Sequence, residues 1–115
     1  MKVVNLTQNA LLSDKAAIAE DFFSRLKGLL GRDGLASGEA LVITHSRSIH
    51  MFFMKFSIDA VFVDKNKVVV GLAEKIKPFQ MSPIFFKAQD VIELPEGKIR
   101  ETKTRLGDQI ALQQS

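Results

Sequence analysis

Short runs of apolar residues, mostly two to four long, recur along this chain between polar breaks, and they predict strands more often than helices. Residues 2–6 alternate weakly and read as a strand, and Thr7-Gln8-Asn9 is turn chemistry. Leu11-Leu12 and Ala16-Ala17-Ile18-Ala19 bracket Ser13-Asp14-Lys15, so the opening reads as hairpin-like, although the alanines leave a helix open. Asp21 is a good helix N-cap, followed by Phe22, Leu26, Leu29 and Leu30 on one face and by Gly31 as a stop. A short helix there is expected to lie on a sheet. Residues 39–44 hold the uninterrupted core Ala40-Leu41-Val42-Ile43, short and β-branched, as in a strand buried on both faces.

Residues 57–63 alternate, with Ile58, Ala60 and Phe62 on one side and Asp59, Val61 and Val63 on the other. Asp64-Lys65-Asn66-Lys67 predicts a hairpin turn with Asn66 in the left-handed position, and residues 68–73 return as the partner strand. Pro78 and Pro83 break regularity across residues 77–87. That loop carries Phe79, Met81, Phe85 and Phe86, which predicts a segment that packs down as a cover. Residues 90–94 form another strand, Pro95-Glu96-Gly97 turns, residues 98–105 make a short charged helix, and residues 109–112 close the chain as a strand. The expected fold class is mainly β (α+β). We expect one compact, barrel-like domain over 1–115, with about seven short strands and two short helices, closed or nearly closed so that no sheet edge is left open.

Composition narrows the function classes. A chain of 115 residues suits one domain. With no cysteine, it has neither disulfides nor thiolate ligands nor a cysteine nucleophile. The net charge of +3 is spread along the sequence rather than gathered in one stripe, which argues against nucleic acid as the partner. The apolar run in Met1-Lys2-Val3-Val4-Asn5-Leu6 is too short for a signal-peptide core or a membrane span, and no later run approaches spanning length. The expected location is cytoplasmic.

Five ordered blocks carry a family resemblance: Arg25-Leu26-Lys27-Gly28-Leu29-Leu30-Gly31, Ser48-Ile49-His50-Met51-Phe52-Phe53-Met54, Ile58-Asp59-Ala60-Val61-Phe62-Val63-Asp64, Val91-Ile92-Glu93-Leu94-Pro95-Glu96-Gly97 and Leu106-Gly107-Asp108-Gln109-Ile110. With them the chain resembles the bacterial and archaeal domain-of-unknown-function family 192. The resemblance implies a small β-rich barrel with short helices and no established activity. Many members carry a signal peptide and a tryptophan–methionine pair in the central block. Phe53-Met54 preceded by His50 is instead similar to an unexported branch.

The candidate chemistry centres on residues 48–64. His50, Met51 and Met54 together could form a soft-metal site, since imidazole and thioether suit Cu(I). They read more simply as a hydrogen-bonded histidine beside gap-filling methionines, and no metal or cofactor is assigned to them. Asp59 and Glu93 each lie in an apolar strand, where a carboxylate needs partners or a cavity. A hydrolase or isomerase would use His50 as general base, with Asp59 or Glu93 orienting it. An internal ion-pair network, with Arg25 holding Asp59 or Glu93 bidentately, explains the same residues without catalysis. Lys98, Arg100, Lys103 and Arg105, interleaved with Glu96 and Glu101, read as a solvated face with local ion pairs. The leading expectation is an accessory domain that binds a small ligand or peptide. Its pocket would be lined by Phe52, Met54, Phe56 and the Phe79–Phe86 loop, with His50 and Asp59 as polar anchors and Arg25 and Glu93 nearby.

Overall fold

The structure of the protein, a computed structural model, describes residues 1–20, 32–51 and 54–114. The predicted helix over 21–30, with Arg25, and the aromatic pair Phe52-Phe53 lie outside the described residues. Within them the chain runs β1 (Lys2–Asn5), β2 (Ala10–Ser13), β3 (Lys15–Ala19), β4 (Glu39–Thr44), β5 (Ile58–Val63), β6 (Val69–Ile76), β7 (Asp90–Pro95), α1 (Lys98–Thr102) and β8 (Ile110–Gln113). The mainly β class holds. The strands form two sheets instead of a closed barrel: a three-stranded sheet in the order β2-β1-β8 and a five-stranded sheet in the order β3-β4-β7-β5-β6.

The five-stranded sheet is buried on both faces, which is why β4, β5 and β7 are nearly continuous apolar runs. On one face Val42, Val61, Val63, Ile92 and Leu94 meet Val3, Leu12 and Ile110 of the small sheet and Ile99 of α1. On the other face Leu41, Ile43, Ile58, Ala60, Phe62 and Val91 pack under Ile49, Met51, Met54 and Ala88. Burying both faces in this way needs cover from loops and a second sheet, and the strands have no reason to curl into a barrel.

The opening of the chain differs from the hairpin expected of residues 11–19. β2 pairs antiparallel with β1, but β3 pairs parallel with β4 in the other sheet. The chain changes sheets at Asp14. The carbonyl of Gly38 holds that crossing, accepting from Asp14 N at 3.1 Å, Lys15 N at 3.0 Å and the Ser13 hydroxyl at 2.6 Å. Gly38 adopts φ +88°, so the backbone favours glycine there, while a Cβ would meet only the end of the exposed Asp14 side chain, which can swing aside.

The β5–β6 hairpin forms as expected, with Val63 opposite Val69 and Phe62 opposite Gly71. Its turn is held by Asp64, whose carboxylate accepts from Asn66 N at 2.9 Å and Val68 N at 3.0 Å. The left-handed residue is Lys67, at φ 64°, and not Asn66. With Asp64 bonded to both amides, the turn needs its positive φ one residue later. α1 is shorter than expected. It ends at Thr102 because Lys103 turns left-handed, at φ 58°.

Candidate functional site

Asp59 and the His50 segment stand on opposite faces of the five-stranded sheet. Asp59 is fully buried on the face it shares with Val61 and Val63, opposite Leu94 of β7. Its Oδ1 accepts from Lys75 N at 2.9 Å, and its Oδ2 accepts from Gly97 N at 3.1 Å and Ile99 N at 2.9 Å. Gly97, the N-cap residue of α1, has no side chain to cap the helix, so Asp59 supplies the acceptor from a neighbouring strand. Lys75 has φ 53° in β6, and Asp59 ties down that irregularity as well. Three amide donors give this carboxylate a structural post, away from any cavity shared with His50.

Glu93 lies on the other face, paired with Leu41 and Ala60 and fully buried. Residues 46–51 cross that same face. His50, half-buried, faces Met81 in a single antiparallel bridge. Around it Met51 N donates to Gln80 O at 2.8 Å, Phe79 N to Met51 O at 2.8 Å, Ser82 N to Ile49 O at 2.9 Å and Phe85 N to Arg47 O at 2.8 Å. The Ser82 hydroxyl, itself buried, accepts from Ile49 N at 3.0 Å. These bonds zip residues 46–51 to the loop 77–89.

Met54 is 4% exposed and packs in the core, and Phe56 packs partly buried against the same cluster. The loop departs from the cover predicted for it. Phe85 alone among its four large apolar residues turns inward, stacking on Phe62 with ring centroids 4.5 Å apart. Its ring occupies the space above Gly71, where a Cβ would collide with it. With Ser82, Phe85 and Ala88 filling the inward positions, Phe79, Met81, Ile84 and Phe86 point out, at 74%, 60%, 55% and 75% exposure. No strong sequence signal separates inward from outward positions in a proline-punctuated loop.

Beside Phe86 an open groove is lined by His45, Arg47, Lys65, Lys87 and Asp64. A second, near α1, is lined by Lys75, Arg100, Lys103 and Arg105 against Glu74. The mixed-charge face expected of residues 96–105 contains one local ion pair, Lys98 to Glu101 at 3.1 Å. Among the described residues, no group of three histidines or carboxylates gathers as a metal ion would require.

Sequence reasoning missed a buried polar cluster at the other end of the molecule. Asp108 accepts from Asn5 Nδ2 at 2.9 Å, Arg105 N at 2.9 Å and Gln8 Nε2 at 3.1 Å, and Asn5 also donates to Thr104 at 3.1 Å. Burial pushes the Asp108 carboxyl up, but the donors from Asn5, Arg105 and Gln8 outweigh it and hold the group below its ordinary value. The signal was available in the turn pattern Leu106-Gly107-Asp108, but its long-range partner Asn5 was not.

The model of the DUF192 family, described as Uncharacterized ACR, matches residues 3–112. The chain belongs to that family. It is 33% identical over 111 residues to a UPF0127 protein of Pyrococcus horikoshii, covering 94% of this chain and 96% of that protein. It is 30% identical over 112 residues to a UPF0127 protein of Thermococcus sibiricus, covering 94% of this chain and 72% of that protein. A crystal structure of a protein of unknown function from Novosphingobium aromaticivorans shares the fold, with TM-score 0.83 at 19% identity over 97% of this chain and 84% of that one. DUF192 membership therefore accounts for the five sequence blocks and assigns no activity. In this member Asp59 serves the helix α1, and Glu93 is buried in the five-stranded sheet between Leu41 and Ala60.

Proposed function

We propose that this DUF192 protein is a small accessory binding domain that takes a ligand or peptide on the surface formed by residues 45–51 and 77–89. The observation that carries this reading is the outward set Phe79, Met81, Ile84 and Phe86, held on a loop bonded to the body through Arg47, Ile49 and Met51. Exposed apolar side chains cost solubility, and clusters of them mark interaction sites. A backbone held in place limits the ordering entropy that binding would otherwise have to overcome. His50 lies at the seam of the two segments and Phe79 at its outer edge, so both belong to the contact surface. Asp59 acts only indirectly, by fixing β6 and α1.

The test is an NMR titration of the isotope-labelled protein with a library of short amphipathic peptides and small amphiphiles. Amide shifts concentrated in residues 45–51 and 77–89 support the reading. Saturable shifts confined to the opposite side, around α1 and the small sheet, refute it.

A further inference from the structure

The two segments that build the proposed surface are also where the chain keeps its excess positive charge. Residues 45–51 and 77–89 contain Arg47, Lys77 and Lys87 and no Asp or Glu, so these segments carry +3, as much as the whole chain. The charges of the remaining residues cancel. All three cations are exposed. Arg47 and Lys87 line the groove that Phe86 borders, and the one carboxylate in that groove, Asp64, accepts two turn amides of its own hairpin. The apolar residues project instead of lining a cleft, since Phe79 and Phe86 are each about three-quarters exposed.

Projection and charge together discriminate between partners. A peptide bound by its apolar side chains needs pockets to receive them, as in groove and strand-addition recognition. A lipid surface needs the reverse: side chains that stand out from a firm backbone and reach the acyl boundary, with cations behind them at headgroup level. We infer that this face docks onto an anionic lipid surface, with Phe79, Met81, Ile84 and Phe86 entering the interface and Arg47, Lys77 and Lys87 meeting the phosphates. The inference rests on the binding-domain reading above and names its partner. Docking of this kind needs no spanning segment. It also needs no deep cavity, and the groove beside Phe86 is open.

Co-sedimentation with phosphatidylcholine vesicles, with and without phosphatidylglycerol, tests it. The expected result is binding to the anionic vesicles that weakens with added salt and falls at least about tenfold in the double variant Phe79→Ser/Phe86→Ser, whose thermal midpoint should be unchanged. Each cation near an anionic surface contributes roughly a fivefold gain in partitioning, so Lys77→Gln/Lys87→Gln should lose about 10- to 30-fold. Equal binding to neutral vesicles, or equal binding by either double variant, overturns the inference. If vesicles fail while peptides shift residues 45–51 and 77–89 in the NMR titration, the lipid assignment falls and the binding-domain reading stands. If neither vesicles nor peptides bind and sedimentation instead shows self-association lost in Phe79→Ser/Phe86→Ser, both fall and the face is a contact between copies.

Discussion

Replacing Asp59 should destabilise the fold severely, although the residue lies far from the proposed binding face. Its carboxylate accepts three backbone N–H groups, from Lys75, Gly97 and Ile99, and the side chain is fully buried. In Asp59→Ala all three donors lose their acceptor. A buried donor left unsatisfied costs about 1–3 kcal/mol, and partial relaxation and water entry recover some of that, so a loss of about 3–5 kcal/mol is expected. Asp59→Asn keeps the volume and one oxygen but turns an amide donor toward the remaining N–H groups, and should cost about 2–3 kcal/mol. Asp64→Ala is the matched control. It also removes an acceptor from two amides, but at a half-exposed turn where water replaces it, and should cost about 1 kcal/mol. Urea unfolding followed by circular dichroism reads all three. In a chain of this length each kcal/mol corresponds to roughly 4 °C in Tm, so Asp59→Ala should melt about 12–20 °C below the parent. An Asp59→Ala protein no less stable than Asp64→Ala would show that the three amides are satisfied by other means, and the structural role assigned to this carboxylate would be wrong.

Gly71→Ala should drive the new methyl into the Phe85 ring, which occupies the space where that Cβ would sit; we expect a loss of about 1–3 kcal/mol by urea unfolding and a displaced Phe85 ring signal in NMR. Phe62→Ala, at the centre of the outer core, should cost about 3–5 kcal/mol, and a smaller loss would mean the loop above collapses into the void. Asp108 has a lowered folded-state value, so its contribution is complete above the ordinary carboxylate range and is lost as pH falls through the folded value. Hence the stability gap between parent and Asp108→Asn should be flat from neutral pH to about pH 5 and narrow below that, and a gap that widens with acid would contradict the assignment. Phe79→Ser and Phe86→Ser should each change stability by less than about 0.5 kcal/mol, since both side chains already stand in water.

Local pattern made much of the fold legible. Glu39–Thr44 was bounded correctly from its apolar run alone, and the two sides of β5 were separated correctly by alternation. The hairpin turn was placed from Asp64 to Lys67, although the bonds of Asp64 put the left-handed residue at Lys67. What alternation lacks is knowledge of what covers each side. With β5 buried throughout, its sequence could not say whether Asp59 or Ile58 faces the His50 segment, and the two anchors were placed together when the sheet in fact lies between them. The barrel expectation failed for a similar reason. The parallel pairing of β3 with β4 spans a long intervening segment, and nothing in Lys15–Ala19 itself distinguishes a hairpin partner from an edge strand of another sheet. The outward loop residues were misjudged because the prolines Pro78 and Pro83 report a break in regularity, not the direction of each side chain.

The pairing of β1 with β8, Val3 opposite Leu112, has a consequence for how the molecule is made. The first strand leaves the ribosome with its eventual neighbour more than a hundred residues away. At typical elongation rates of about 5–20 residues per second, it waits several seconds for that neighbour to appear. Through that interval Val3 and Leu12 have only part of their cover, and β1 offers an open edge to any passing strand. A chain cut short before β8 and carried clear of the ribosome by a linker should therefore keep β1 protease-sensitive over an already assembled five-stranded sheet, and supplying β8 should bury it.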